Sequence, residues 1–255
     1  LDFERASALC RQFEVANVFR SVADLVAAAP QDAVYDVAVP ANALLDVLDQ
    51  LPDGAAVLVQ KPLGEDLAQA RAIEALAKQK GLTLATNFQL RFAPYCLAAK
   101  SLIEQGAIGT LHEIEVHVNV HMPWELWSFL EKAPRMEIVY HSIHYLDLIR
   151  SLMGEPKRVL ASTIKHPLSP KMHSSRTAAI LDYGPWARAT VYTHHGHVYG
   201  KRHQDASIRL EGDRGCIKLQ LGLIMNYPSG EPDYLEYISA GMEDWQAVPL
   251  EGSWF

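Results

Sequence analysis

The sequence predicts an α/β fold in which a parallel sheet with crossover helices is followed by an α+β region on a large open, mainly antiparallel sheet. Up to about residue 93, apolar runs of strand length alternate with helical patterns, and this alternation favours parallel strands joined by right-handed crossovers. From residue 111 onward, long β-rich stretches separated by turn signals dominate. We therefore predict two domains, residues 1–93 and residues 94–255.

The first domain is predicted to alternate helices with three strands. Apolar residues at helical spacing predict a helix over 2–13. Ser21 is a predicted N-cap, with Asp24 in the first turn of the helix that follows. The remaining predicted elements are, in chain order, a strand over 33–39 closed by Pro40, a helix over 41–51, a strand over 56–60, a helix over 66–80 ended by Gly81, and a strand over 82–87.

The second domain is predicted to be rich in strands, with a single helix over 137–153 among them. Two glycine-containing turns, Tyr183-Gly184-Pro185-Trp186 and Gly212-Asp213-Arg214-Gly215, are typical of hairpins. The predicted β-rich stretches are 111–121, 157–166, 176–183, 187–195 and 206–221. The stripe of the helix that is expected to pack on the sheet consists of Ile138, Leu146, Ile149 and Met153.

Lys61 is the first candidate for chemistry, because it follows the apolar strand 56–60 and precedes Pro62. Proline has no N–H to donate, so the strand ends there and the lysine lies at its carboxyl end. Ligands bind at that edge in open α/β sheets, and an ammonium group there can polarise a hydroxyl or carbonyl oxygen. The alternative is a strand that simply ends in a solvated lysine.

The helix over 137–153 carries the second group of candidates. Tyr140, His144 and Asp147 have the spacing that places side chains on one helix face, and His141 precedes His144 by one turn. A carboxylate three residues after a histidine can orient one ring nitrogen while the other faces a substrate. The alternative is a surface histidine paired with Asp147.

Composition excludes several classes of protein. A hydrophobic content of 49%, a charged content of 21% and a net charge of -7 are typical of a globular protein and argue against binding the phosphate backbone of nucleic acids. No apolar run approaches the ~18 residues of a membrane-spanning helix, and no secretory signal is visible. Three widely spaced cysteines suit a reducing compartment, so we expect a cytoplasmic protein.

Several motifs together resemble those of the Gfo/Idh/MocA oxidoreductases, which are NAD(P)-dependent dehydrogenases of sugars, polyols and related compounds. The motifs are, in chain order, Gln60-Lys61-Pro62, the segment Thr86-Asn87-Phe88-Gln89-Leu90-Arg91, the segment Gln105-Gly106-Ala107-Ile108-Gly109, and His144-Tyr145-Leu146-Asp147 ahead of Met153-Gly154-Glu155-Pro156. The resemblance implies a Rossmann-type first domain, NAD or NADP as cofactor, and a sugar or polyol as substrate.

The resemblance also implies roles for individual residues. Lys61 would hold the reacting oxygen, and His144 would exchange its proton or bind substrate. The turn that contains Pro40 and Asn42 would run beside the cofactor, together with Gln60, Lys61 and Pro62. Asn87, Arg91 and His141 are candidate substrate ligands, although Arg91 could equally pair with a carboxylate between the domains.

Two positions depart from the family pattern. Gln60 stands where relatives commonly carry glutamate, and it can donate and accept hydrogen bonds but cannot take up a proton as a carboxylate does. Tyr140 stands where relatives often carry an acid four residues before the histidine. The proton relay of the family is therefore in doubt here, and it would shift to Tyr140 or His141.

The glycine-rich turn of a dinucleotide-binding domain, G-x-G-x-x-G, is absent from this sequence. By the resemblance, the first two strands and the final helix of relatives are also absent. We therefore expect that both ends of a longer protein are missing from this text, the alternative being a divergent short protein.

Two further groups of residues have weaker signals. His194, His195, His197 and His203 form a histidine-rich patch, but without a cysteine or an acidic partner at motif spacing we predict no metal site. Trp124 and Trp127 could form the floor of a sugar pocket, although packing in a core or an interface is the stronger expectation.

These features favour a nicotinamide-dependent oxidoreductase that acts on a sugar or polyol. The alternatives are a cofactor-retaining lyase or glycosidase of the same fold, and a sensor that binds a dinucleotide or sugar without turnover. Gln60 and Tyr140 are the residues that favour the sensor. A large apolar sheet face seldom stays wet, so we expect a homodimer or homotetramer through the second-domain sheet.

Overall fold

The computed structural model describes residues 3–133 and 135–252, without the side chain of Glu125. Asp2, which begins the first predicted helix, lies outside the described residues. Contacts divide the chain into two compact units, Leu1–Asn87 and Phe88–Phe255. The division into a cofactor domain over 1–93 and a substrate domain over 94–255 stays a prediction.

The first unit contains a three-stranded sheet in the order β1-β2-β3, with both pairs of strands parallel. The predicted side-by-side, parallel arrangement of these strands is confirmed. Because β2 is the middle strand, its carboxyl end is flanked on both sides. The bounds are α1 Phe3–Gln12, α2 Val22–Ala28, β1 Val34–Val37, α3 Leu44–Asp49, β2 Ala56–Gln60, α4 Leu67–Gln79 and β3 Thr83–Asn87.

The helix ends of the first unit follow the predicted capping chemistry. The Ser21 hydroxyl accepts a hydrogen bond from the Asp24 backbone N–H at 3.0 Å, and the Asp66 carboxylate caps α4. Gly81 follows α4 with a φ of +64°, a conformation that favours glycine. The predicted helix over 41–51 is shorter than expected, because it begins as a separate 3₁₀ turn, Ala41–Ala43.

The second unit is built on an eight-stranded sheet in the order β11-β10-β9-β8-β4-β7-β6-β5. Neighbouring strands are antiparallel except for the pair β4 and β7, which is parallel. The helices are α5 Pro94–Glu104 and α6 Ile143–Met153, and the strands are β4 Leu111–Asn119, β5 Arg158–Ile164, β6 Arg176–Gly184, β7 Ala187–His194, β8 Asp205–Gly212, β9 Gly215–Gln220, β10 Tyr234–Ser239 and β11 Gln246–Ala247. The fold class agrees with the prediction. The elements α5, β10 and β11 were not predicted from the sequence.

One face of this sheet packs with α5 and α6 to form the core of the second unit. Alternate residues of β4 and β8 are buried there beside Tyr95 and Ile149, as a sheet with one buried face requires.

The expectation of a large apolar outer face of this sheet is wrong for the central strands. Their outer face carries charged pairs, such as Arg188 with Glu113 at 2.6 Å, because one face of the sheet is solvated. Exposed apolar side chains concentrate on the edge strand β5, at Val159, Leu160 and Ile164.

Among the described residues, no helix has both the length and the apolar character needed to cross a membrane. Cys10, Cys96 and Cys216 are free thiols.

Candidate active site

Lys61 lies directly after the middle strand of the first unit and is partly buried, and Pro62 beside it is buried. Burial disfavours the ammonium form and lowers the pKa of Lys61 from 10.5 to about 8. The group is therefore charged at neutral pH but gives up its proton more readily than a surface lysine. That combination suits a side chain that polarises an oxygen or takes part in proton transfer.

A row of hydrogen-bonded side chains crosses the three strands next to Lys61. The Gln60 amide donates to the Asp36 carboxylate at 3.1 Å, and the Asn87 amide donates to the Gln60 carbonyl oxygen at 3.1 Å. Gln60 therefore joins its two neighbouring strands, a role beyond mere packing. Asp36 was not a candidate from the sequence, although a carboxylate within a four-residue strand is a signal in itself.

Pro40 and Asn42 lie just beyond the end of β1, at the edge where the carboxyl ends of the parallel strands meet. Both residues are exposed, whereas Ala41 between them is buried. The backbone forms a 3₁₀ turn over Ala41–Ala43. The buried Ala41 side chain thus anchors the turn, and Pro40 and Asn42 on either side of it face solvent.

In the second unit, Arg91 binds the Asp147 carboxylate through two hydrogen bonds. One runs from Nε to Oδ2, and the other from Nη2 to Oδ1 at 2.5 Å. The Asp147 side chain is 8% exposed and that of Arg91 is 39% exposed. The structure therefore contains the ion pair that was one of the two interpretations of Arg91. Both of its residues lie in the second unit, whereas a pair between the domains was expected.

Tyr140 and His144 are partly exposed, whereas Asp147 is buried. His144 and Asp147 both lie in α6, but Tyr140 lies in a π-helical turn over 138–142, where the angle between successive side chains differs from that of an α-helix. The common face of the three residues stays a prediction. The His144 ring meets Phe88 edge-on, with 6.4 Å between ring centroids.

The π-helical turn creates a buried polar group that the sequence did not reveal. The Ser142 hydroxyl donates to the Glu137 carboxylate at 2.7 Å, five residues back, and the His195 Nε2 lies 3.2 Å from the same oxygen. The side chains of Glu137 and His195 are fully buried. Burial acts to raise the pKa of Glu137, but the interaction with His195 and the hydrogen bonds from Thr177 and Ser142 outweigh it, so the pKa is lowered.

His141 joins this group, because one ligand atom from each of Glu137, His141 and His195 lies within 4.8 Å of the others. The sequence indicated no acidic partner at motif spacing for the histidine-rich patch, and the structure supplies one, Glu137, from far along the chain. The partner lies nearly sixty residues earlier on a different element, so no local spacing could reveal it. The signal available in the sequence was the i, i+4 spacing of Glu137 and His141.

Trp124 is 6% exposed and packs in a small apolar cluster with Met122, Leu130, Met136 and Met172. Its ring lies edge-on to that of Trp127, with 6.3 Å between centroids, and to that of His195, with 5.1 Å. These contacts favour the packing interpretation of Trp124. Tyr140 packs at the border of the same cluster, edge-on to Phe129 at 5.9 Å.

Comparison with known protein families finds one matching domain in this chain. Residues 96–218 match the family described as the GFO/IDH/MocA C-terminal domain. Together with the oxidoreductases among the similar proteins, this match supports the resemblance to the Gfo/Idh/MocA family that the motifs predicted.

Individual relatives match different shares of the chain. The uncharacterized oxidoreductase YhhX of Escherichia coli is 38% identical over 110 residues, which are 43% of this chain and 31% of that protein. D-apiose dehydrogenase of Paraburkholderia graminis is 30% identical over 168 residues, which are 64% of this chain and 44% of that protein. The chain thus spans less than half the length of these curated relatives.

A solved structure of similar fold is that of levoglucosan dehydrogenase in complex with NADH and levoglucosan. It has a TM-score of 0.80 and 20% sequence identity, and the match covers 98% of this chain and 69% of that one. At this identity the likeness shows the fold.

Proposed function

We propose that the protein carrying this chain is an NAD(P)-dependent dehydrogenase that transfers a hydride between the cofactor and a hydroxyl or carbonyl carbon of a sugar or polyol. The observation that carries the proposal is the partly buried Lys61, with its lowered pKa, at the carboxyl end of the middle parallel strand. The match of residues 96–218 to the GFO/IDH/MocA C-terminal domain supports it.

The side chains at the strand ends fit the nicotinamide half of such a cofactor. Gln60 and Asn87 offer amide groups suited to a carboxamide or a ribose hydroxyl, and the turn containing Pro40 and Asn42 presents an exposed edge beside them. The bound cofactor would supply the hydride acceptor or donor. Pro62 fixes the backbone after Lys61, so the ammonium stays at the strand end.

Lys61 and His144 would divide the work on the substrate. The Lys61 ammonium holds and polarises the reacting oxygen, and the His144 ring exchanges the proton of that oxygen. Arg91 is held by the buried Asp147 and keeps part of its guanidinium exposed, so it is available to a polyhydroxyl or anionic substrate. Tyr140 and His141, one turn before His144, are the alternative members of the proton relay.

The assignment of substrate and partners belongs to the same proposal. The relatives that act on D-apiose and levoglucosan support a sugar or polyol substrate. The free cysteines support a cytoplasmic location. The exposed apolar side chains of β5 support a homodimer or homotetramer formed through the second-unit sheet.

A screen of sugars and polyols with the full protein and NAD or NADP tests the proposal, with nicotinamide absorbance as the signal. Substrate-dependent net reduction of the cofactor is the expected result. Turnover of a glycoside without net reduction would replace the proposal with the cofactor-retaining lyase or glycosidase. Saturable binding of cofactor and sugar with no turnover would instead favour the sensor, for which the structural role of Gln60 is the relevant observation.

A further inference from the structure

We propose that Glu137, His141 and His195 form a binding site for a divalent transition-metal ion, and that zinc is the ion whose ligand preferences they meet. The site lies entirely within the second unit and does not use Lys61 or His144. It shares His141 with the alternative proton relay, but metal binding can be measured without any turnover.

The donor set is the first argument. Two imidazoles and one carboxylate are ligands that zinc takes in sites with three protein ligands and one open position, and other borderline divalent metals accept the same set. The three ligand atoms lie within 4.8 Å of one another, and the rings of His141 and His195 are 4.1 Å apart between centroids. Ligand atoms around a tetrahedral zinc are about 3.4 Å apart, given bonds of about 2.1 Å. Modest side-chain rotation therefore closes the site.

The charge balance of the group is the second argument. Glu137 is fully buried, and a carboxylate buried without a compensating cation is costly. Among the described residues, the equally buried His195 lies 3.2 Å from it. A divalent cation between the carboxylate and the two rings supplies the missing positive charge.

Unsatisfied buried atoms are the third argument. Among the described residues, Nδ1 of His195 and the indole N–H of Trp124 have no hydrogen-bond partner. Buried polar atoms in folded proteins are nearly always satisfied, and an exception calls for an explanation such as an ion. A metal ion held by the Glu137 carboxylate and by one ring nitrogen of His195 would leave the other ring nitrogen to donate, and an anion on the open position would accept from Trp124.

The surroundings have the form of a metal site rather than of an isolated ion pair. Ser142 donates to Glu137 and itself lies 3.2 Å from the Thr193 hydroxyl, so the carboxylate is held in orientation. Such outer hydrogen bonds fix metal ligands in many sites. The Trp124 ring lies edge-on to both histidines, at 5.1 Å from His195 and 6.0 Å from His141, and excludes water from that side.

The test measures metal binding directly and does not depend on activity. The full protein is stripped with a chelator and dialysed, and zinc binding is followed by calorimetry. Cobalt(II) is then added as a spectroscopic probe, since its visible absorption reports histidine and carboxylate ligation. We expect one tight equivalent of either metal per chain and a higher unfolding temperature with zinc, because a ligand that binds only the folded state stabilises it.

Variants locate the site. His141→Ala should weaken zinc binding at least about 100-fold, since losing even an outer partner of a ligand costs about 10- to 100-fold. Glu137→Gln and His195→Ala should do the same. His203→Ala is the matched control, because it removes an exposed imidazole from the same histidine-rich patch and should leave the tight equivalent unchanged.

Two results would overturn the proposal, and neither needs the buried variants to fold. One is wild-type protein that shows no tight equivalent and no cobalt spectrum. The other is folded His141→Ala, at a partly exposed position, that binds zinc as tightly as wild type. Failure of the dehydrogenase screen would leave these measurements untouched.

Discussion

The strand end at Lys61 and the helix start at Glu137 are two polar groups built in opposite ways. Lys61 directly follows the middle strand of a parallel sheet, and Gln60 before it pairs with Asn87 at the matching end of the next strand. Glu137 depends on a π-helical turn and on His195 from a distant strand. A site made by strand ends is visible in the sequence, whereas a site made by irregular helix geometry and long-range packing is not.

The largest effect expected from this comparison is that of Lys61→Ala. Turnover should fall by roughly a thousandfold, near the scale for losing one preorganised electrostatic group, while dinucleotide binding stays largely intact. The reason is that the ammonium acts at the reacting oxygen, so its loss falls on the transition state. Steady-state kinetics and cofactor titration of the full protein measure the two quantities.

The matched control for Lys61→Ala is Lys78→Ala. Lys78 pairs with Glu74 on the exposed side of α4, and such surface pairs contribute little. Wild-type rates are expected for it. Near-full activity of Lys61→Ala would show that the strand end is not the reacting centre, whatever the fold.

His144→Ala is expected to reduce turnover by roughly a hundredfold, the usual scale for a general acid–base group. Tyr140→Phe sharpens the result, because it keeps the ring that packs against Phe129 and removes only the hydroxyl. A large loss in Tyr140→Phe would show that tyrosine occupies the relay position. Unchanged rates in both variants would leave His141, or a group outside this helix, as the proton-transfer residue.

The contrast between the two groups also explains what could be predicted from the sequence. The order and direction of β1, β2 and β3 follow from local alternation of apolar runs and helical patterns, and the caps at Ser21 and Gly81 follow from local chemistry. Helix α5 was missed although Pro94 stands at its first turn, a favoured place for proline. The Glu137 group depends on the π-helical turn and on a distant strand, and the helical periodicity of the sequence does not indicate either.

A smaller effect is expected for Asp147→Asn, and it concerns stability. Breaking a buried ion pair costs several kcal/mol, but Arg91 is 39% exposed, so water can solvate it. We therefore expect a loss of about 1–3 kcal/mol in the free energy of unfolding, measured by urea denaturation.

Glu155→Gln is the control for Asp147→Asn. It breaks the pair of Glu155 with Arg150, in which the Arg150 side chain is 55% exposed and the Glu155 side chain is 70% exposed. The free energy of unfolding should therefore change by at most about 0.5 kcal/mol. Equal effects of the two variants would mean that the long-range pair of Arg91 with Asp147 does not hold the second unit together.

The smallest effect is a pH dependence set by Lys61. If the charged ammonium polarises the substrate oxygen, kcat/KM should decline as pH rises through about 8, the value to which burial lowers the pKa of Lys61. Stability should respond with the opposite sign. Because the folded-state pKa lies below the ordinary 10.5 of an unfolded lysine, the unfolded chain binds more protons between these values, and the free energy of unfolding gains from Lys61 as pH rises through that window. A loss of activity above pH 8 would then not be caused by destabilisation of the folded protein when Lys61 loses its proton.

Lys61→Arg tests whether Lys61 is the titrating group, since arginine stays charged. The residual activity of this variant should lack the decline near pH 8. A decline of equal position in Lys61→Arg would assign the titrating group elsewhere.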